Sequence, residues 1–138
     1  MIYHQVRFTP KPDAPRDKLE YAFERLRMMG REIPVVQFWC VGRDFGGEFE
    51  YGALYALEDI EAYKAYMSSP IHRETDEVGL PLMKDFISFD ITDDDDPTIG
   101  EQIAEVHRSR FGNDQELLTL VDNIGSYQGS GFTPRAER

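Results

Sequence analysis

The chain has 138 residues, 41% hydrophobic and 30% charged, which is enough for one domain with its own core. Its formal charge of −11 is uneven: residues 1–92 carry 11 basic and 16 acidic side chains, and residues 93–138 carry 4 and 10. An acidic surface repels phosphate backbones and anionic headgroups, which excludes nucleic acid and membrane as expected partners. The single cysteine, Cys40, rules out an intrachain disulfide; with no leader after Met1 and no apolar run of spanning length, the reading is cytoplasmic.

Ile2 to Thr9 alternates, with Ile2, His4, Val6 and Phe8 on one side, so it reads as a strand that Pro10 and Pro12 end. Pro15 suits the first turn of a helix whose stripe is Leu19, Ala22, Phe23, Leu26 and Met29, with Gly30 as its stop. Val35–Gly42 is rich in β-branched and aromatic residues and reads as a second strand. Residues 43–48, with Gly46-Gly47, read as a hairpin connection, and Phe49–Leu57 as a third strand. Glu58-Asp59 caps a helix bearing Ile60, Ala62, Tyr63, Tyr66 and Met67, and Ser68-Ser69-Pro70 breaks it. A short helix over about Ile71–Val78 follows. The next strand, Phe86–Ile91, has Phe86, Ser88 and Asp90 on one face and Ile87, Phe89 and Ile91 on the other.

The order β-α-β-β-α-β is the ferredoxin-like split unit, an α+β fold over residues 1–92. Helices cover one face of such a sheet; Ile87, Phe89 and Ile91 make the other too apolar to stay wet, so a homodimer packed sheet to sheet is expected. Residues 93–97, beginning with Asp93–Asp96, read as an acidic linker. Residues 98–138 read as a helical C-terminal extension. Thr98 caps a helix with Ile99, Ile103 and Val106, and Asn113-Asp114 caps another with Leu117, Val121 and Ile124, ended by Gly125. Ser126–Arg138, rich in Gly and Ser, is expected to be loosely ordered.

Several short segments carry a resemblance. They are Tyr3-His4-Gln5-Val6, Glu32-Ile33-Pro34, Val41-Gly42-Arg43-Asp44, Tyr63-Lys64-Ala65-Tyr66 through Pro70-Ile71-His72, and Phe89-Asp90. In this order the chain resembles the stress-responsive A/B barrel domain (Dabb) family of the dimeric α/β barrel superfamily, over residues 2 to about 92. The resemblance implies a dimeric barrel. It also points to a plant polyketide cyclase of the family, which works without metal or cofactor through a Tyr and a His around a similar helix, turn and proline. Tyr66 and His72 keep that spacing and His4 is kept in the first strand. Tyr51 and Ser69 stand where the cyclase has further histidines. Many family members have no established activity.

Read from chemistry, His72 with an ordinary pKa near 6.5 is a candidate general base, and the Tyr66 hydroxyl a donor to a developing oxyanion. On spacing alone, Tyr66 reads first as a core tyrosine and His72 as a turn cap or a donor to a backbone carbonyl; with the resemblance the two readings stand level. His4, on an apolar strand face, reads first as a buried, satisfied imidazole and second as a substrate-positioning group. Phe8, Phe23, Tyr51, Tyr55 and Phe86, with Met83, wall either a filled core or a pocket. His4, His72 and His107 show no metal-ligand spacing, so no metal or cofactor is expected; His107 sits with Arg108 and Arg110 toward a helix end. The leading expectation is a cofactor-free enzyme acting on a small apolar or aromatic carbonyl compound as a cyclase, lyase or isomerase. His72 would be its base, Tyr66 its donor, and His4 and Tyr51 its positioning groups. The alternatives are a non-enzymatic stress-responsive dimer and a cofactor-independent monooxygenase.

Overall fold

The computed structural model describes residues 1–138. Its elements are β1 (Ile2–Pro10), α1 (Arg16–Glu32), β2 (Val36–Arg43), β3 (Tyr51–Leu57), α2 (Ile60–Met67), α3 (Pro70–Gly79), β4 (Met83–Thr92), α4 (Ile99–Asn113), α5 (Gln115–Asp122) and β5 (Ser126–Gly129). The strands make one sheet in the order β2-β3-β1-β4-β5. The first four pair antiparallel in the ferredoxin-like order, and β5 runs parallel to β4.

The register of β1 organises the interior. His4 lies opposite Tyr55 and Asp90, Val6 opposite Ala53 and Ser88, and Phe8 opposite Tyr51 and Phe86. Residues directly opposite point to the same face, so these rows form the floor beneath the helices. On the other face, pairing aligns Phe38, Ala56, Tyr3 and Ile91 in one row, and Phe38 and Ile91 are exposed by 60% and 58%.

α3 begins at Pro70, with the Ser69 hydroxyl accepting from the Ile71 N–H at 3.3 Å. The Ser-Ser-Pro break is therefore also the cap of the next helix. Buried Arg25 of α1 fixes this turn from above, donating to the Ile71 carbonyl at 3.1 Å and to Glu74 at 3.0 Å. At α4 the cap is Asp96 rather than the Thr98 side chain: Asp96 Oδ1 accepts from both the Thr98 N–H and its hydroxyl at 2.8 Å.

The extension folds back on its own chain. Phe111, Leu117, Val121 and Ile124 join Phe8, Leu80 and Met83 in one apolar cluster. Arg73 of α3 pairs with Asp114 at 2.7 Å while Asp114 caps α5 through the Leu117 N–H at 3.0 Å. The expectation of a loose tail fails at Ser126–Gly129, where Tyr127 lies opposite Phe86, rings parallel at 5.7 Å, and buries enough to hold a short strand. No helix is long and apolar enough to cross a membrane.

Gly30 does not stop α1. The helix runs on to Glu32 and ends where Ile33 turns extended before Pro34. Gly30 is required instead by packing, because a Cβ there would fall inside the Trp39 indole of β2. Gly30→Ala is expected to cost about 1–3 kcal/mol by overpacking, although alanine is the better helix former. Urea denaturation would read this as a lower midpoint at unchanged slope.

Candidate active site

Between the sheet and the helices lies a cavity of about 80 Å³. His4, Tyr55, Phe8 and Phe86 line it from the sheet, Tyr66 from α2, and His72 with Asp76 from α3. The extension supplies His107 and Arg110 from α4, Leu117 and Val121 from α5, and Tyr127 from β5.

Two of the expected lining residues lie elsewhere. Tyr51 and Phe23 pack on each other at 4.8 Å and on Phe8 at 6.0 Å, so Phe8 stands between them and the cavity. Tyr55 lines the space with its ring, while its hydroxyl donates to the Leu26 carbonyl at 2.7 Å and is unavailable to a ligand. Ser69 is spent on capping.

Tyr66 lies between two histidines. Its ring centroid is 4.9 Å from His72, edge to face, and 5.6 Å from His4. Each of these imidazoles is anchored to a carboxylate through Nδ1: His72 to Asp76 at 3.2 Å and His4 to Asp90 at 2.8 Å. A carboxylate accepts, so Nδ1 carries the proton in both rings and Nε2 keeps its lone pair. Neither Nε2 is taken up by the chain, and neither is sealed from a water-sized molecule. Burial pulls the His72 pKa below its ordinary value, against the opposing pull of Asp76, and the Arg110 guanidinium pulls the same way as burial. Burial raises Tyr66 well above the ordinary tyrosine range, with the neighbouring Tyr55 and Asp76 adding to it, so its hydroxyl keeps its proton.

The groups that sequence reasoning did not place are Asp76, Asp90, Tyr63, His107 and Arg110. His107 is buried in mid-helix; it falls four residues after Ile103 and four before Phe111, on the same stripe. Its Nε2 is 2.7 Å from the Tyr63 hydroxyl, which donates to Asp90 at 3.0 Å. Burial takes His107 down to about 3, with like charge at His4 the next cause. Asp76 follows from His72 by one helical turn, and Arg110 donates to it at 2.7 Å. Burial would raise Asp76, yet His72 and Arg110 together hold it down to about 2.

Because the folded pKa of Asp76 is depressed, its stabilising contribution is present above the unfolded value of about 3.9 and is lost as pH falls through about 2. Urea unfolding between pH 5 and pH 2 should show a loss on the order of 2 kcal/mol in the wild type that is missing in Asp76→Asn. Parallel pH dependence in the two proteins would contradict the pairing.

Residues 2–93 match the Stress Responsive A/B Barrel Domain. No curated protein sequence matches the chain. Among solved structures, a dimeric ferredoxin-like protein of unknown function from Thermobifida fusca has a TM-score of 0.59 at 21% identity, covering 66% of this chain and 89% of its own. A Dabb family protein with a ferredoxin-like fold from Mesorhizobium loti has 0.59 at 20%, covering 66% and 94%. A hydroxynitrile lyase from Passiflora edulis has 0.61 at 13%, covering 69% and 94%. At these identities the likeness is one of fold.

Proposed function

The chain belongs to the stress responsive A/B barrel domain family, and from that premise we propose that it is an acid–base enzyme acting on a small carbonyl compound with its own side chains. The observation that carries the reading is the Tyr66 ring packed edge to face on a carboxylate-anchored imidazole, His72, both on the wall of a cavity. His72 Nε2 removes a proton next to the carbonyl and returns it to another atom of the enolate; or it takes the proton from the hydroxyl of an addition product, the O–H electrons form the carbonyl as the carbon–nucleophile bond breaks, and the departing nucleophile takes the proton from the imidazolium. Tyr66 donates to the oxygen that becomes negative, and Asp76 stabilises the imidazolium. His4 Nε2, across the Tyr66 ring, orients the substrate. Phe8, Phe86 and the Tyr55 ring supply apolar wall, and Tyr51 has no direct part.

The cavity volume favours lyase or isomerase chemistry over closure of a long polyketide. An apolar cavity of about 150 Å³ accommodates benzene. A space of about 80 Å³ takes a smaller aliphatic carbonyl compound, and an aromatic one enters only if side chains of the extension give way. The Passiflora lyase, similar in fold, supports the same preference.

His72→Ala should lower turnover about 10²–10⁴-fold, and Tyr66→Phe should do so while leaving the fold intact. Since burial lowers His72, the acid limb of the kcat/KM profile should lie below the ordinary histidine value of about 6.5. The measurement is a screen of small 2-hydroxynitriles, hydroxyketones and β-diketones by turnover and thermal shift. Equal turnover by wild type and His72→Ala would refute the assignment.

We also propose a homodimer, cytoplasmic in setting, in which Phe38, Tyr3 and Ile91 of the row on the sheet's other face meet their counterparts in a second copy. The exposed apolar side chains and the dimeric state of the Thermobifida protein support it. Ile91→Asp should give a monomer by light scattering, where the wild type gives a dimer. A monomeric wild type at micromolar concentration would refute the dimer.

A further inference from the structure

We infer that His4, Asp90, His107 and Tyr63 form a binding site for a tetrahedral divalent transition metal ion, zinc in the first place, that clips the C-terminal extension to the sheet. The four side chains come from β1, β4, α4 and α2, and all are buried: His4 is 2% exposed, Tyr63 0%, His107 3% and the Asp90 side chain 5%. Two imidazole nitrogens, a carboxylate and a phenol oxygen are a donor set that zinc accepts.

The spacing fits. Bonds of about 2.0–2.2 Å place the ligand atoms of a tetrahedral ion roughly 3.3–3.6 Å apart. Tyr63 Oη lies 3.3 Å from His4 Nδ1, 3.0 Å from Asp90 Oδ2 and 2.7 Å from His107 Nε2. The histidine and carboxylate donors all lie within 4.8 Å of one another. Shifts within the reach of side-chain rotation turn this hydrogen-bonded cluster into a coordination shell.

His4 and His107 change tautomer, so that Nδ1 of the first and Nε2 of the second face the ion. Tyr63 releases its proton to solvent. The two positive charges of the ion are then matched by the Asp90 carboxylate and the Tyr63 phenolate. His4 Nε2, an acceptor without metal, becomes a donor toward the cavity. The site shares no ligand with the His72–Asp76–Arg110 group, so its occupancy and the roles of His72 and Tyr66 are tested separately.

The experiment is titration of the chelator-treated full chain with zinc chloride by calorimetry and thermal shift, and with cobalt(II) by visible absorption. Expected are one equivalent per chain, a raised melting temperature and the intense visible bands of tetrahedral cobalt. His107→Ala and Asp90→Asn should lose all three, and His72→Ala should keep them. Tyr63→Phe preserves the packing, and should weaken affinity roughly tenfold or more and abolish the tetrahedral spectrum. It decides the matter if the histidine and aspartate variants do not fold. No stoichiometric binding, a weak octahedral cobalt spectrum, or binding unchanged in Tyr63→Phe would overturn the site.

Discussion

Three imidazoles lie in the interior of this chain, and burial of a polar ring is tolerated only where it has partners. Those partners come from different elements: Asp90 across the sheet for His4, Asp76 one turn along α3 for His72, and Tyr63 of α2 for His107. Removing any one carboxylate would strand a donor in the core, so the polar groups specify the packing as much as the apolar ones. The sheet register is set by the same requirement. A slip of one residue between β1 and β4 would turn Asp90 to the far face and leave His4 Nδ1 without its acceptor.

The extension changes what a ferredoxin-like layer of helices on a sheet can enclose. β5 pairs with an edge of β4 that would otherwise expose unpaired backbone, and its approach is close enough that a Cβ on Gly125 would meet the Lys84 carbonyl at 2.9 Å. Tyr127 lengthens the aromatic row Tyr51, Phe8 and Phe86, while α4 brings His107 and Arg110 under the helices. Residues outside the family-matched segment therefore supply part of the cavity wall, His107, Arg110 and Tyr127 among its polar side chains.

The four strands of the ferredoxin-like unit and its helices were legible because their signals are periodic: alternation in β1 and β4, the 3.6-residue stripe in α1 and α4. Tyr66 and His72 were legible as a pair because a helix, a capped turn and a second helix fix their separation locally. The rest depended on contacts that no local pattern encodes. β5 has one large side chain in four residues and is a strand only because Phe86 is there to stack on. Tyr51 and Tyr55 share a strand face, yet the Leu26 carbonyl claims one hydroxyl and Phe8 screens the other ring from the cavity. His107 carries no motif with His4, since 103 positions separate them; only its place on the α4 stripe marked it as buried. Gly30 reads as a helix stop and is a packing site, because Trp39 is remote in sequence.

The division of the cavity wall into two polar groups has a chemical consequence. Around Tyr66, lone pairs at His72 and His4 are left over after packing, and an apolar lining keeps bulk water from competing for them. A neutral imidazole backed by a carboxylate gains its advantage there, because the positive charge it acquires is met by Asp76 in a medium of low dielectric rather than by solvent that must reorganise. Around Tyr63, by contrast, the Tyr63 hydroxyl, Asp90, His107 Nε2 and His4 Nδ1 are turned inward on one another, and His4 joins the two groups, its Nε2 facing the cavity. Arg110 belongs to the first group and moderates it. Burial is the main reason that the His72 pKa is lowered, and the Arg110 guanidinium, paired with Asp76, works in the same direction against the pull of that carboxylate, favouring the neutral imidazole from which a base must start. A helix from the extension thus adds to what burial already does to a residue in the ferredoxin-like core.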